Sequence, residues 1–501
     1  MKHALILPIL LPMLAGALLL VGHDLSKPLK RMLSLVATWA LVPLGLYLVL
    51  LADDGQLRAY ALGNWQAPFG IMLLLDRLSA LMLLLTALLA GFTLLYASRG
   101  DDERGQNFHA LFQFQLLGIN GAFLTADLFN LFVFFEILLI SSYSLLVHGN
   151  GKDQIKAGVH YVVLNLLGSS FFLIGVSILY GLTGTLNMPD LAQRVAEADP
   201  ELAPLLSAAA YLLLVVFALK AAVLPLYFWL PKAYASAPAP VAALFAIMTK
   251  VGLYSIFRVF TMIFGEGAGS LANMAHEMLW WLALLTLAAG AIGALAAERL
   301  QVLLGYLVVV SVGTLLAGFS LGTPQALSAA LYYLVHSTLI SAALFLLAGL
   351  IVRQRGPAGD DLHLLQALHQ PLLLGALFFA ATISVAGLPP FSGFLGKLLL
   401  LRSVEPGSQA LWLWSVVLLC GLVTLVALSR AGSQMFWHSH GRPLENTEPA
   451  DRTRLGATLG LLLASPLLLV LAQPLLIYMQ ATAEQLLDLQ PYLSLIDGGE
   501  A

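Results

Sequence analysis

The chain has 501 residues, of which 60% are apolar and only 10% are charged, and its formal net charge is −3. An average soluble domain carries roughly 25% charged residues, so this composition excludes an ordinary soluble protein and indicates an integral membrane protein. The basic residues form no patch that would bind nucleic acid. The single cysteine, Cys420, excludes an intramolecular disulfide and a cysteine-ligated cluster. With no haem or dinucleotide motif either, we expect no cofactor.

Apolar stretches of membrane-spanning length run through the whole chain. The first, about 19 residues long, is of spanning length and lacks a small-x-small cleavage pattern, so it predicts a first helix and not a signal peptide. Hydropathy predicts fourteen spans in all, at 4–22, 32–51, 69–97, 109–125, 128–147, 160–182, 208–231, 241–264, 279–297, 302–321, 328–351, 372–401, 411–436 and 455–478. The sequence therefore predicts an all-α polytopic membrane protein with about 14 transmembrane helices.

The loops indicate the orientation, because Lys and Arg are enriched on the cytoplasmic side of a membrane. If the N-terminus lies outside, four basic residues fall in outside loops, namely Lys2, Arg58, Arg194 and Arg402. Fourteen then fall in inside loops, namely Lys27, Lys30, Arg31, Arg99, Arg104, Lys152, Lys156, Lys232, Arg299, Arg353, Arg355, Arg442, Arg452 and Arg454. We therefore expect both termini outside.

Six further basic residues lie within the spans, where a charge at the helix centre costs about 2.5 to 3.5 kcal/mol on insertion scales. Arg77, Arg258 and Arg430 lie toward span ends, and we expect these side chains to reach the membrane interface. The other three are Lys220, Lys250 and Lys397. The first two of these lysines lie near mid-span, too deep to reach the lipid headgroups comfortably.

Two other titratable groups lie at membrane depth, Glu136 in "FNLFVFFEILLISSY" and His336 in "YYLVHSTLISAALF". A buried ion pair of Glu136 with Lys220 could hold two helices together, but such pairs stabilise poorly compared with apolar packing. We therefore favour a functional role, since ionisable groups inside membranes mark proton and ion pathways. Histidine is a side chain able to titrate near neutral pH, so His336 is a further candidate, although a lone histidine can equally form a hydrogen bond between helices.

Prolines interrupt two of the predicted helices. Pro225 follows Lys220 by five residues in the seventh helix, and Pro389 and Pro390 precede Lys397 in the twelfth. Each proline removes a backbone hydrogen bond, and broken backbone at membrane depth is tolerated only inside protein or beside a water-filled cavity. We therefore predict that helices 7 and 12 are broken. A proline kink with a snorkelling Lys397 is the alternative at the second break.

Broken helices at comparable places in two halves indicate inverted repeats. The two halves are not chemically equal, because the second has no carboxylate corresponding to Glu136 and no lysine corresponding to Lys250. The predicted segments are 1–108 with helices 1 to 3, 109–264 and 279–437 as inverted five-helix repeats, and 438–501 with a loop, helix 14 and an acidic tail.

Four segments, "LFVFFEILLISSYSLL", "KAAVLPLYFWLPKAYASAPAPVAAL", "MTKVGLYSIFRVF" and "LPPFSGFLGK", resemble the antiporter-like subunits shared by respiratory complex I and the Mrp cation/proton antiporters. The resemblance covers about 110–420 and is greatest to the D subunit of the Mrp antiporters. Departures from the respiratory members at Tyr227, Lys232, Tyr234, Ser341 and Lys397 favour Mrp. The resemblance implies a proton pathway through Glu136, Lys220, Lys250, His336 and Lys397.

The resemblance also implies a function. We expect a proton-translocating subunit of a multisubunit Na⁺ or other monovalent cation/proton antiporter, a secondary transporter and not an enzyme, in a bacterial inner membrane. Its implied partners are subunits of the Mrp A, B, C, E, F and G type. The alternative is a proton-pumping membrane subunit of a respiratory complex I or membrane-bound hydrogenase-type complex. A purely structural anchor would leave the buried glutamate and lysines unexplained.

Overall fold

The computed structural model describes residues 2–65, 70–149, 151–439, 443, 444 and 446–495. Arg442 and the acidic end at 496–501, both used in the sequence predictions, lie outside these residues. Helices α1 to α21 are, in chain order, Leu7–Val21, Lys27–Ala52, Arg77–Ala97, Phe108–Leu124, Leu128–Leu146, Lys152–Thr183, Met188–Ala196, Ala203–Ala221, Trp229–Ser236, Ala239–Phe245, Met248–Met262, His276–Ala296, Leu300–Ser320, Pro324–Arg355, Pro371–Ala386, Ser392–Arg402, Ser408–Gly432, Arg452–Leu462, Ala464–Val470, Ala472–Leu487 and Gln490–Leu493. Strands β1 (Arg58–Ala61) and β2 (Met72–Leu75) form an antiparallel hairpin before α3.

Every predicted span overlaps one helix or consecutive helices, which confirms the all-α polytopic architecture. In the described part of the chain, 11 helical segments, some of them made of consecutive helices, are long and apolar enough to cross a membrane, and α1 and α15 are shorter apolar helices. The third predicted span starts at residue 69, which lies outside the described residues, and it extends too far towards the N-terminus. Met72–Leu75 form β2 and not a helix, and the Asp76 carboxylate begins α3 by accepting a hydrogen bond of 2.8 Å from the backbone N–H of Ser79.

The centre of the bundle is formed by α10, α11, α13 and α14. Nearly all residues in the apolar segments of these helices are buried, whereas only a third are buried in those of α2 and α17. The peripheral helices therefore carry the exposed apolar faces that a bilayer covers. A charged group on a central helix is surrounded by protein instead of lipid, as the cost of an intramembrane charge requires.

The seventh predicted helix is broken, as the sequence predicts. After α8 the chain passes through Ala222, which has a left-handed φ of +60°. Two side chains satisfy backbone groups that the break leaves free: Trp229 Nε1 donates to the carbonyl of Leu219 at 3.1 Å, and Leu224 N–H donates to Thr286 Oγ1 at 3.0 Å. Protein side chains thus provide hydrogen bonds for the irregular backbone.

The twelfth predicted helix is broken as well. Gly387 ends α15 with a φ of +82°, a conformation that glycine adopts without the steric penalty of a Cβ. Pro389 and Pro390 occupy the gap and contribute no N–H donor, and α16 begins at Ser392. The break therefore leaves carbonyl groups of α15 without helical partners.

Ion pairs gather loops at one face of the bundle. The carboxylate of Asp101 lies 2.6 Å from Arg353 and 3.2 Å from Arg454, and that of Asp102 lies 2.6 Å from Arg31. These residues come from four connections or helix ends that the sequence assigns to one side of the membrane. The loops that share a predicted side therefore meet at one face.

Candidate functional site

Glu136 lies halfway along α5 and faces α6. The helix begins at Asp127, whose carboxylate accepts a hydrogen bond of 2.7 Å from the backbone N–H of Asn130. The Glu136 carboxylate accepts a short hydrogen bond from the hydroxyl of Ser169 on α6, and the residue is half-buried. A neutral hydroxyl, and not a cation, therefore provides its direct hydrogen bond.

Lys220 lies in the last turn of α8, directly before the break. Its side chain is buried, with 6% exposure, and its ammonium has no hydrogen-bond partner among the described residues. Nζ lies 4.8 Å from the centre of the Phe135 ring, a distance at which an aromatic face attracts a cation. Gly252 permits α11 to approach this turn, because a Cβ there would lie 2.6 Å from the backbone nitrogen of Ala221.

Glu136 and Lys220 attract each other electrostatically without direct contact. In the described part of the chain, no ion pair within 4.0 Å joins the carboxylate to the ammonium. The ring of Phe135, the neighbour of Glu136 in sequence, lies against the ammonium instead. The two groups are therefore in a separated arrangement, and their coupling during transport stays a prediction.

Lys250 lies at the centre of the bundle on α11 and is fully buried. Its ammonium donates a hydrogen bond of 2.9 Å to the hydroxyl of Ser311 on α13 and a longer one of 3.4 Å to Thr249 Oγ1. No carboxylate lies within 4.0 Å of this ammonium among the described residues. A hydroxyl can accept from an ammonium or donate to a neutral amine, so the contact with Ser311 is compatible with both protonation states.

His336 lies on α14 and contacts the second helix break. Its ring is 1% exposed, and Nδ1 lies 2.8 Å from the hydroxyl of Ser392 at the start of α16. That hydroxyl lies 2.8 Å from Ser465 of α19, which lies 2.7 Å from Ser384 of α15. The ring also lies close to Gly393, where a Cβ would be 2.8 Å from Nε2. His336 therefore forms a hydrogen bond between helices, and its part in proton transfer stays a prediction.

A cavity of about 10 Å³ lies between His336 and Ser311, the hydroxyl that binds Lys250. This is about the volume that one water molecule needs. The other polar or aromatic side chains that line it are Tyr333, Ser337 and Ser341. Lys250 and His336 are thus separated by one hydroxyl and one water-sized space.

Lys397 lies on α16 and reaches back across the break. Its ammonium donates hydrogen bonds to the carbonyl oxygens of Ala386 at 2.9 Å and Val385 at 3.1 Å. Both carbonyls belong to the last turn of α15, the negative end of that helix, where a cation is favoured. The half-buried side chain therefore points back to the break and binds its carbonyls, and this geometry differs from that of a snorkelling lysine.

The structure arranges five titratable side chains around the two helix breaks. Glu136 and Lys220 lie near the end of α8, and His336 and Lys397 lie at the gap between α15 and α16. Lys250 on α11 lies between these two groups. Hydroxyl groups and a water-sized space provide intermediate steps of the kind that proton transfer needs. No group of three or more His, Cys, Asp or Glu side chains able to hold a metal ion occurs in the described part of the chain.

The comparison with protein families decides what this arrangement belongs to. The family model of the NADH:quinone oxidoreductase/Mrp antiporter transmembrane region matches residues 125–425. The chain belongs to this antiporter family. The D subunit of a probable K⁺/H⁺ antiporter of Rhizobium meliloti (strain 1021) is 42% identical over 520 residues, which cover 97% of this chain and 96% of the relative. The D subunit of the Na⁺/H⁺ antiporter of Bacillus subtilis (strain 168) is 39% identical over 462 residues, 91% of each protein.

Solved structures show the same fold for this antiporter-family chain. A chain of the Mrp complex from Dietzia sp. DQ12-45-1b has a TM-score of 0.89 at 27% identity, covering 99% of this chain and 100% of that one. A chain of the membrane-bound sulfane sulfur reductase, an archaeal respiratory complex, has a TM-score of 0.90 at 25% identity, with the same coverage. Respiratory complex I from Thermus thermophilus has a chain with a TM-score of 0.79 at 27% identity, covering 97% of this chain and 100% of that one. The predicted likeness to the antiporter-like subunits is confirmed.

The expected position of Arg258 at the membrane interface is wrong. Arg258 is buried, and its guanidinium forms a two-pronged ion pair with Asp76, with N–O distances of 2.5 and 2.9 Å. The hydroxyl of Tyr492 donates a further hydrogen bond of 2.8 Å to the same carboxylate. Sequence reasoning missed Asp76 because it lies inside an apolar stretch. The available signal was the Asp-x-x-Ser capping pattern that ends with Ser79.

The other two arginines near span ends bind backbone carbonyls close to the ends of helices. The guanidinium of Arg77 donates to the carbonyl of Asp53 at 2.6 Å, and that of Arg430 donates to the carbonyl of Ala297 at 2.8 Å. Both carbonyls directly follow a helix, α2 and α12. These positions agree with the structural roles that the sequence predicts.

Sequence reasoning also missed the hydroxyl partners of the antiporter-family site. Ser169, Ser311, Ser392 and Ser465 each contact one of the titratable groups or its neighbour. Serine is frequent in membrane helices, and its presence alone does not indicate which neighbour it faces. For Ser392 a signal existed, because it directly follows the interrupted segment that ends at Phe391.

Proposed function

We propose that this chain is the proton-translocating subunit of a multisubunit antiporter that exchanges Na⁺ or another monovalent cation for protons. The observation that carries the proposal is the buried ammonium of Lys220, which has no hydrogen-bond partner among the described residues. It lies directly before a helix break and near the carboxylate of Glu136. A lysine kept only for structure should have its donors satisfied, because an uncompensated buried charge is costly. Relatives named as D subunits of K⁺/H⁺ and Na⁺/H⁺ antiporters support the choice of transported ions.

The proposed pathway begins at Glu136 and Lys220. When the two groups close, each stabilises the charge of the other; when they separate, each loses that stabilisation. A proton arriving on the Glu136 carboxylate removes its negative charge and so removes the attraction for the ammonium. Lys220 is then free to release a proton towards Lys250, whose helix packs against the same turn through Gly252.

The second part of the proposed pathway crosses the centre of the bundle. Ser311 connects Lys250 to the cavity, and His336 lies on the opposite side of that cavity. His336 can accept a proton on one ring nitrogen and release one from the other. Lys397, close enough to act on His336 electrostatically, is the last member of the series and exchanges protons towards the outside.

We further propose that residues 109–264 and 279–437 are two inverted repeats. In both repeats a lysine is found at the C-terminal end of the helix that precedes the break. Lys220 belongs to that helix, whereas Lys397 follows its break and reaches back to the end of α15. We place the chain in a bacterial inner membrane with both termini outside. The excess of Lys and Arg in alternate loops and the ion pairs that gather those loops at one face support this orientation.

The proposed partners are subunits of the Mrp A, B, C, E, F and G type, with which the chain acts as a transporter and not as an enzyme. A second candidate function is a proton-pumping subunit of a respiratory complex. The observation behind it is the TM-score of 0.90 with a chain of the sulfane sulfur reductase. Purifying the native complex through this chain and identifying the copurified chains by mass spectrometry tests the choice. Mrp-type subunits would support the antiporter, and quinone-binding or iron–sulfur subunits would overturn it.

A further inference from the structure

Ser465 of α19 hydrogen-bonds to both halves of the second broken helix. Its hydroxyl lies 2.7 Å from that of Ser384 on α15 and 2.8 Å from that of Ser392 on α16. All three hydroxyls belong to buried residues. Ser465 lies outside both proposed repeats and outside residues 125–425, the part of the chain that the family model matches.

The hydroxyl of Ser392 connects Ser465 to the imidazole of His336. Each hydroxyl has one proton, so the direction of one hydrogen bond restricts the next. If Nδ1 of His336 lacks a proton, Ser392 must donate to it, and Ser465 must then donate to Ser392. If Nδ1 carries the proton, the ring donates to Ser392, which is free to donate to Ser465. The tautomer of the ring is therefore linked to the orientation of the Ser465 hydroxyl.

The backbone beside the ring limits the other movements of His336. A Cβ at Gly393 would lie 2.8 Å from Nε2 and 3.1 Å from Cε1 of the imidazole, so the ring lies directly against this glycine. The ring is thus held on one side by the start of α16 and through Nδ1 by the hydroxyl of Ser392. Fixing Ser392 fixes the direction in which the imidazole presents its nitrogens to the cavity.

We propose that Ser465 is a positioning residue for proton transfer through His336, an inference that rests on the proposed function of the chain. Ser465 holds the Ser392 hydroxyl between the two half-helices, and that hydroxyl sets the orientation and tautomer of the ring. Helix α19 thereby contributes to a pathway whose titratable members all lie on other helices. The role belongs to the hydroxyl and not to the volume of the side chain.

Substitutions at Ser465 in the complete antiporter complex test the proposal, with Na⁺-driven proton exchange measured in everted vesicles. Ser465→Ala and Ser465→Cys, whose thiol is only a weak hydrogen-bonding group, should each lower antiport about fivefold or more, because the hydroxyl's hydrogen bonds to Ser384 and Ser392 are lost or weakened. Ser465→Thr, which keeps a hydroxyl, should retain most of the wild-type activity. Ser34→Ala is the matched control, because Ser34 is a buried serine whose hydroxyl accepts a hydrogen bond from Gln113 between α2 and α4, far along the chain from the site.

The pH profile of antiport separates positioning from packing. The titratable groups that face His336 or its cavity are Lys397, Tyr333 and, through Ser311, Lys250. None of them is altered in Ser465→Ala, so a changed tautomer balance of His336 should move the profile, whereas a lost packing contact should only lower its height. An unmoved profile, or full activity in the assembled Ser465→Cys complex, would overturn the proposal.

His336→Ala distinguishes this inference from the proposed function itself. If His336→Ala loses antiport while Ser465→Ala retains it, proton transfer through His336 stands and the role of Ser465 fails. If His336→Ala transports like the wild-type complex, the proposed pathway fails first. The role of Ser465 is supported only if both variants lose activity and Ser465→Thr regains it.

Discussion

The ammonium of Lys397 donates a hydrogen bond of 2.9 Å to the carbonyl oxygen of Ala386, across the break between α16 and α15. The carbonyl has no helical donor because its helix ends there. One contact therefore satisfies a free backbone group and holds an ionisable side chain against the break. A proton released from Lys397 would leave a neutral amine that still has donors for the same carbonyls.

This contact predicts that Lys397 needs a group able to gain and lose a proton. Arginine keeps its charge at all accessible pH, and alanine supplies no donor. We expect both Lys397→Arg and Lys397→Ala to lose antiport, measured as collapse of a pH gradient on addition of Na⁺ to everted vesicles. The exposed Lys152→Arg is the matched control. Transport near the wild-type rate in Lys397→Arg would show that the lysine serves the backbone alone.

Gly393 provides a test of the geometry at the same break. A Cβ at this position would lie 2.0 Å from the carbonyl oxygen of Ser384 and 2.8 Å from Nε2 of His336. Because the first contact is with backbone, the start of α16 must move, and overpacking of this kind costs about 1 to 3 kcal/mol. We expect Gly393→Ala to lower the Tm of the purified complex and to abolish antiport.

Gly181→Ala is the control for that substitution, because a Cβ at Gly181 meets no atom within 4 Å. Its Tm and transport should match the wild-type protein, apart from a small gain in helix propensity. Equal behaviour of the Gly393 and Gly181 variants would contradict the close packing at the second break.

The sequence identified the candidate titratable groups, but it did not predict the side chains that they contact. Glu136, Lys220 and Lys250 are recognisable because a charge at membrane depth is costly and needs a reason. Pro389 and Pro390 likewise revealed the break, since proline cannot continue a helix. The family resemblance supplied the expected pathway, and the structure supplied the distances.

The remaining features depend on contacts between distant parts of the chain. Ser465 approaches Ser392 only when α19 packs against the broken helix, and nothing in its local sequence indicates that contact. Arg258 pairs with Asp76, which is 182 residues away, so its position near a span end suggested the interface instead. Local hydropathy identifies helices, whereas partner choice follows from how the helices pack.

The ion pair of Arg258 with Asp76 predicts a large loss of stability when one partner is removed. Breaking a buried pair leaves an uncompensated charge and typically costs about 3 to 5 kcal/mol. We expect Asp76→Asn to lower the Tm of the detergent-solubilised protein by much more than Asp190→Asn, which breaks the more exposed pair with Arg194. Similar Tm values for the two variants would contradict a buried, structural pair.

Asp102 predicts how stability depends on pH at the face where the loops meet. Burial opposes its ionisation, but hydrogen bonds from His109 and Arg31 outweigh burial and hold the pKa of Asp102 well below its usual value. A carboxyl whose pKa is lowered on folding adds stability above its unfolded pKa, about 3.9, and loses it as the pH falls further. Relative to wild type, Asp102→Asn should therefore be less stable by a constant amount from about pH 5 to 8.

Below about pH 4 the difference between Asp102→Asn and wild type should shrink, because the Asp102 carboxyl of the unfolded wild-type chain then takes up protons while that of the folded chain stays ionised. Thermal unfolding of the purified protein across this pH range measures the difference. Asp24→Asn, at a highly exposed site, should leave stability unchanged. A stability gap for Asp102→Asn that stays constant down to pH 3 would contradict the lowered pKa.

The separated arrangement of Glu136 and Lys220 is central to the proposed pathway. A permanent structural pair would hold the two groups together, whereas a switching pair needs to separate and close as protons arrive. Removing either side chain should stop transport, because the remaining group has no partner with which to switch. Assembly should persist, since no direct ion pair joins α5 and α8 through these side chains.

The most direct measurement is Na⁺-driven proton exchange in everted vesicles containing Lys220→Ala, Glu136→Ala or the double variant, with the assembled complex quantified in the same membranes. The proposed pathway predicts wild-type amounts of complex and a drop in antiport of about tenfold or more in all three, equivalent to at least roughly 1.4 kcal/mol. Loss of assembly in both single variants with recovery in the double variant, or near-wild-type transport in Lys220→Ala, would contradict it.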